Sequence, residues 1–159
     1  MTETVLYRTI ACCVEHESPG SDRALAEARR IASIGASHLT LLHILEPIRV
    51  YPALPASGAQ TWFPDVSEYR TQAEGWLESI ALGDESRVVV HGAPHQAACE
   101  WAQSMGVELL VVGSHRGLIE RMLLGSFAGY LAHHAPCPVL LVRPEPDANR
   151  ESSPVAEAA

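Results

Sequence analysis

The sequence predicts an α/β fold in which a five-stranded parallel sheet carries helices on both faces. Two observations predict it. Short apolar runs alternate with amphipathic stretches of helical period along the chain, which is typical of strands joined by crossover helices. The run HLTLLHIL at residues 38–45 is too continuously apolar to have one solvated face. That pattern indicates a parallel strand that is buried on both sides.

Each element follows from its own local pattern. The predicted strands cover residues 7–14, 38–45, 87–91, 107–112 and 139–142. The first helix is expected to have Ser21 as its N-cap and to end at Gly35. Three further helices are predicted over residues 66–82, 93–105 and 124–134. The inner face of the second helix is predicted to carry Tyr69, Ala73, Trp76, Leu77 and Ile80.

The organisation is predicted to be one domain over residues 1–145 and a flexible tail over 146–159, where no apolar period continues. Residues 46–64 are rich in proline and are predicted to form a long loop, which often serves as a lid or a binding segment. With 159 residues, of which 47% are hydrophobic, the chain is long enough to bury a core.

Charge and cysteine usage exclude several classes of protein. A net charge of −8 argues against sequence-independent nucleic-acid binding and against docking to an anionic membrane. The start of the chain lacks the pattern of a signal peptide, so a cytoplasmic location is expected. Cys12, Cys13, Cys99 and Cys137 have no CxxC spacing and are predicted to be buried thiols, with Cys12 and Cys13 on opposite faces of one strand.

Ligands of such sheets bind beyond the carboxyl ends of the strands, where the strand order reverses. The segments expected there are 15–20, 45–47, 92–94 and 113–126. In the last of these, Gly125 and Ser126 open a helix whose free N–H groups favour an anion, and His115, Arg116 and Arg121 lie nearby. Taken by itself, the segment fits either a phosphate site or a tight turn before a capped helix.

Residues 107–143 and 10–28 resemble the signature segments of the universal stress protein family, and the motif APCPV at 135–139 is especially specific. The resemblance implies a Rossmann-like fold of the adenine nucleotide alpha hydrolase-like type. It also implies a regulatory module that binds ATP or AMP, with Mg²⁺ bridging the phosphates. A homodimer through the strand at 139–142 and a regulatory partner protein, whose identity the sequence does not give, are further implications.

The family's phosphate loop is matched by Gly113 at its start and by Gly125 and Ser126 at its end, while Glu15 stands where the family holds the ribose with an acidic residue. The loop is one residue shorter than the family's, and Arg116 stands where a glycine is expected. Arg116 then either clamps phosphate or fills the pocket. The candidate binding residues are Cys13, Val14, Glu15, Ile44, Val112, Gly113, His115, Arg116, Gly117, Gly125, Ser126 and Phe127.

No catalytic or metal site is predicted. Adjacent His133 and His134 diverge on a helix, His43 is expected to be a hydrogen-bonded core histidine, and no G-x-S-x-G elbow is present. Without a Walker lysine, any ATP hydrolysis is expected to be slow and incidental. The two functional hypotheses are therefore a nucleotide-binding regulatory module and a nucleotide-independent dimeric interaction protein.

Overall fold

Five strands and four helices alternate along the residues that the computed structural model describes, 6–47, 66–114 and 126–143. The strands are β1 (Thr9–Cys13), β2 (His38–Leu45), β3 (Ser86–His91), β4 (Leu109–Gly113) and β5 (Val139–Val142). The helices are α1 (Pro19–Gly35), α2 (Val66–Ile80), α3 (Pro94–Ser104) and α4 (Ser126–His134). The predicted alternation is confirmed. Residues 48–64 of the predicted loop and the predicted tail lie outside the described residues.

All neighbouring strands are parallel, in the order β3-β2-β1-β4-β5. The chain builds outward from β1 through β2 to β3, and then crosses to the other side of β1 to add β4 and β5. The strand order therefore reverses between β1 and β4, and this is where an open parallel sheet forms a crevice at its carboxyl edge.

The helices cover the sheet on both faces, as predicted. Side chains of α1 and α2 pack on one face in a core that includes Ile10, Cys12 and Leu77. Side chains of α3 and α4 pack on the other, in a core that includes Val112 of β4 and Leu131 of α4. Each fully buried Leu or Ile side chain contributes about 1.5–3 kcal/mol. Cys12 and Cys13 pack with opposite cores, as predicted.

Two details of the predicted helices are wrong. Ser21 is not the N-cap of α1, because the helix begins at Pro19 and Ser18 is its N-cap. Proline favours the first helical position, where its fixed φ suits the helix and its missing N–H costs no hydrogen bond. Tyr69 is not on the inner face of α2 but 43% exposed. Residues 66–72 are all exposed, so the first turns of α2 extend past the core.

An ion pair joins α1 to the connection between α2 and β3. The Arg29 guanidinium donates to both carboxylate oxygens of Glu85, over 2.7 and 2.8 Å, and to the carbonyl of Ile80 over 2.7 Å. The Leu82 N–H also donates to Glu85. Burial alone would raise the pKa of Glu85, but these hydrogen bonds outweigh it and the net pKa lies below the usual range.

No helix within the described ranges is both long and apolar enough to span a membrane.

Candidate functional site

A cavity of about 510 Å³ opens beside the carboxyl ends of β1, β2 and β4, at the point where the strand order reverses. Each of the four segments that the sequence placed at this edge contributes to its walls. The cavity is lined by Cys13, Val14, Glu15, Ser18, Ser21, Leu42, Ile44, Glu46, Pro47, Ala93, Pro94, His95, Val112, Gly113 and Phe127.

One part of the cavity wall is apolar. Val14 directly follows β1, Ile44 lies on β2 and Val112 lies on β4, and all three line the cavity. Val112 is fully buried and Val14 nearly so, so the strands fix their positions. Phe127, in the first turn of α4, is half-buried on the same side. A flat apolar ring can enter such a slot with little rearrangement.

Another part of the wall is polar. Glu15 follows β1, and its backbone N–H donates to the Ser21 hydroxyl over 2.8 Å. That bond fixes the turn between β1 and α1 at the cavity edge. Glu46 and His95 line the cavity from the ends of β2 and α3. Carboxylates in this position can accept hydrogen bonds from ligand hydroxyls.

Gly113 and Gly20 bring two backbones into direct contact next to the cavity. A Cβ added at Gly113 would lie 2.5 Å from the carbonyl carbon of Gly20 and 2.9 Å from the Ser21 nitrogen. A Cβ added at Gly20 would lie 2.9 Å from the Ser114 oxygen. Only residues without a side chain fit here, so glycine at both positions sets how closely α1 approaches the end of β4.

Ser18 lines the cavity, and its side chain is buried there. It is 6% exposed, and its hydroxyl has no hydrogen-bond partner among the described residues. As the N-cap of α1 it makes no side-chain cap bond, although its carbonyl accepts from the Ser21 and Asp22 N–H groups over 2.9 and 3.1 Å. Glu17, directly before it, has a left-handed φ of 56°.

His43 is hydrogen-bonded, as predicted, but it is half-buried rather than in the core. Its Nδ1 lies 2.9 Å from the Val14 carbonyl, so this nitrogen carries the proton and donates. The ring packs edge-on to Trp76, with centroids 5.1 Å apart. The hydrogen bond anchors Val14, and with it the apolar wall of the cavity.

The cavity-lining thiol Cys13 is a poor nucleophile. Burial, reinforced by Cys99, Cys137 and Glu15, raises its pKa to about 12. The reactive thiolate is therefore nearly absent at neutral pH. Among the described residues, no cluster of three or more His, Cys, Asp or Glu could hold a metal ion.

The structure thus brings seven of the predicted binding residues around one cavity: Cys13, Val14, Glu15, Ile44, Val112, Gly113 and Phe127. Ser126 is the first residue of α4. His115, Arg116, Gly117 and Gly125 lie outside the described residues, and their roles stay predictions.

Eight lining residues were not among the predicted binding residues: Ser18, Ser21, Leu42, Glu46, Pro47, Ala93, Pro94 and His95. Three of them, Glu46, Pro47 and Ala93, lie within two residues after the end of a strand. For Ser18, Glu46, Pro47, Ala93 and Pro94 the only signal was membership of the segments expected at the sheet's carboxyl edge, and that signal does not distinguish one residue of a loop from the next. Ser21, Leu42 and His95 lie outside those segments.

Comparison with known proteins agrees with this architecture. Residues 6–143 match the universal stress protein family. Universal stress protein A homolog 2 of Coxiella burnetii is 30% identical over 128 residues, which cover 79% of this chain and 88% of that protein.

Two solved structures share the fold. A universal stress protein in complex with cAMP superposes with a TM-score of 0.60 at 23% identity, covering 87% of this chain and 99% of that one. A universal stress protein family protein from Arabidopsis thaliana with AMP bound gives a TM-score of 0.54 at 19% identity, covering 91% and 97%. The family match spans every described element from β1 to β5. The chain belongs to the universal stress protein family.

Proposed function

We propose that this protein binds an adenine nucleotide, ATP or AMP, in the cavity between β1 and β4 and acts as a regulatory module rather than as a catalyst. The observation that carries the proposal is the juxtaposition of an apolar slot, formed by Val14, Ile44 and Val112, with a polar wall that contains Glu15. The apolar slot suits the base of a nucleotide, and the polar wall suits its ribose and phosphate.

The size of the cavity supports a ligand of this class. Small-molecule sites typically enclose about 300–1,000 Å³, and this cavity holds about 510 Å³. Glu15 is placed to accept hydrogen bonds from ribose hydroxyls. The nucleotides named for two proteins of the same fold, cAMP and AMP, supply the ligand class. We expect micromolar to submillimolar affinity, or roughly 5–8 kcal/mol.

Magnesium would be held mainly by the nucleotide itself. The described cavity residues offer only the carboxylates of Glu15 and Glu46, whereas Mg²⁺ prefers six oxygen ligands. Phosphate oxygens and water would supply the others. The chain contains no lysine, so the cation that commonly stabilises phosphoryl transfer in nucleotide hydrolases would have to be an arginine. Slow turnover, if it occurs, is then incidental to binding.

The proposal is tested first by heat-denaturing the purified protein and identifying any adenine nucleotide released. Calorimetric titration with ATP, ADP and AMP then gives the affinities. Ala93→Trp places a large ring at an exposed position of the cavity wall, and binding should be lost. Gln96→Trp, three residues further along in α3, exposed and outside the cavity lining, is the matched control. No released nucleotide and no heat at millimolar ligand would refute the proposal and favour a nucleotide-independent interaction protein.

We also propose a homodimer through β5. This strand is at one edge of the sheet, and all four of its residues are half-buried. An apolar edge with unpaired backbone groups tends to recruit another strand, and two-fold symmetry is the commonest way to cover it. Light scattering should report about twice the 17.2 kDa chain mass. Leu141→Lys should give monomers or aggregates, and a monomeric wild-type protein would refute the interface.

A further inference from the structure

The Ser18 hydroxyl is buried without being satisfied. The residue is 6% exposed, and within the described part of the chain no group donates to or accepts from its Oγ. A buried hydroxyl without a partner destabilises the free protein, and native structures seldom keep one without a reason. Since Ser18 lines the cavity, a bound ligand is the natural source of the missing partner.

The local backbone explains why the hydroxyl is not used within the protein. A serine at an N-cap usually turns its oxygen toward the N–H groups of the first helical turn. In Ser18 the side chain makes no such bond, and the carbonyl alone accepts from the turn. The hydroxyl therefore stays at the cavity wall, at the positive end of a helix of 17 residues.

The surroundings of Ser18 indicate which part of a ligand would reach it. Gly20, two residues further along, is in backbone contact with Gly113 and Ser114 at the end of β4. Ser18 is thus close to the end of β4, where the β4–α4 connection starts, and it follows Glu15 by three residues. Ser21 lines the cavity beside it, and because its oxygen accepts from the Glu15 N–H, its own proton is the donor that it offers.

We infer that the Ser18 hydroxyl, at the N-terminus of α1, is a phosphate contact that donates a hydrogen bond to a phosphate oxygen of the nucleotide in the cavity. The inference rests on the proposed function and adds a specificity to it: phosphorylated adenosine should be preferred over adenosine because of this helix end. The donor is neutral and the acceptor anionic, which makes the hydrogen bond stronger than one between neutral groups.

The test is Ser18→Ala, titrated calorimetrically with AMP, ATP and adenosine. Loss of a hydrogen bond to a charged group should weaken the binding of AMP and ATP on the order of 10- to 100-fold. Adenosine should change by less than about twofold, since it has no phosphate. The thermal midpoint of the ligand-free variant should be equal to or above that of the wild type, because an unsatisfied buried hydroxyl has been removed.

Ser33→Ala is the matched control, since Ser33 is an exposed serine on the same helix, and its hydroxyl donates to the Arg30 carbonyl. It should leave all three affinities unchanged. Ser18→Thr, which keeps the hydroxyl, should recover most of the AMP affinity.

Four results would overturn the inference. Equal losses for AMP and adenosine would place the hydroxyl on the ribose or base, and a lower thermal midpoint for Ser18→Ala would show a structural partner in the free protein. A wild-type protein that binds AMP and adenosine equally well would leave the proposed function standing and remove the phosphate contact. Absence of any adenine-ligand binding by the wild type would refute both.

Discussion

The contact between Gly113 and Gly20 can be tested by adding a single methyl group. In Gly113→Ala the new Cβ would lie 2.5 Å from the Gly20 carbonyl carbon and closer still to its oxygen. Ordinary van der Waals contact begins at 3.4 Å. The atoms in the way are backbone rather than flexible side chain, so the first turn of α1 must move back by about 1 Å.

The size of the effect follows from two opposing terms. Overpacking of a close contact costs about 3 kcal/mol when backbone has to move. Replacing glycine by alanine also restricts the unfolded chain, which returns about 0.4–1 kcal/mol. We therefore expect Gly113→Ala to lower the free energy of unfolding by about 2 kcal/mol, or roughly 4–8 °C in Tm for a chain of this size.

Gly75→Ala is the matched control. Gly75 lies in α2, and nothing is within 4 Å of an added Cβ. The same chemical change should there raise stability by about 1 kcal/mol, because alanine is the better helix former. Equilibrium urea unfolding of both variants measures the difference, which should be about 3 kcal/mol. If the two variants are equally stable, the two backbones are not in contact and the wall of the cavity is wrongly assigned.

Three further predictions concern other parts of the molecule. Glu85→Gln should lower the free energy of unfolding by about 1–3 kcal/mol at pH 7. Because the pKa of Glu85 is lowered in the folded protein, its contribution to stability is present above the unfolded pKa and fades as the pH falls below about 4. If urea titrations show a stability difference between variant and wild type that is independent of pH, this reasoning is contradicted. Ala36→Gly should stabilise the protein by about 0.5–1 kcal/mol, since Ala36, the C-cap residue after α1, has a left-handed φ of 47°. A lower Tm would count against this. With a pKa of about 12, Cys13 should resist iodoacetamide at pH 8 until the protein is unfolded, as peptide mass mapping would show.

The pattern of the sequence predicted the elements well where local signals agree. Both bounds of β2 match, because its eight residues, six of them apolar or β-branched, stand between a helix end and a proline. The start of α1 was wrong because Ser18 and Ser21 are both good N-cap residues, and Pro19 between them was not taken as the deciding signal.

The candidate site was likewise predictable only in part from the sequence. Position after a strand predicts which segments meet, so Glu15 and Gly113 could be placed at one edge of the sheet. The state of the Ser18 hydroxyl could not be predicted, since it depends on a side-chain rotamer and on how closely α1 approaches β4. Both are properties of tertiary packing, to which the local pattern of residues carries no guide.

The central place of β1 also governs the order in which the molecule can form during synthesis. β1 pairs with β2 on one side, and the two strands are close in the sequence. On its other side β1 pairs with β4, which is synthesised much later. The Arg8 N–H, next to β1, donates to the Glu108 carboxylate, next to β4, and 100 residues separate the two in the sequence. Until β4 has left the ribosome, β1 is an open apolar edge that other nascent chains can join. Closing so long a loop is slow. The cavity, which lies where β1 meets β4, is therefore completed only after most of the protein has been made, and a ligand cannot assist the earlier steps of folding.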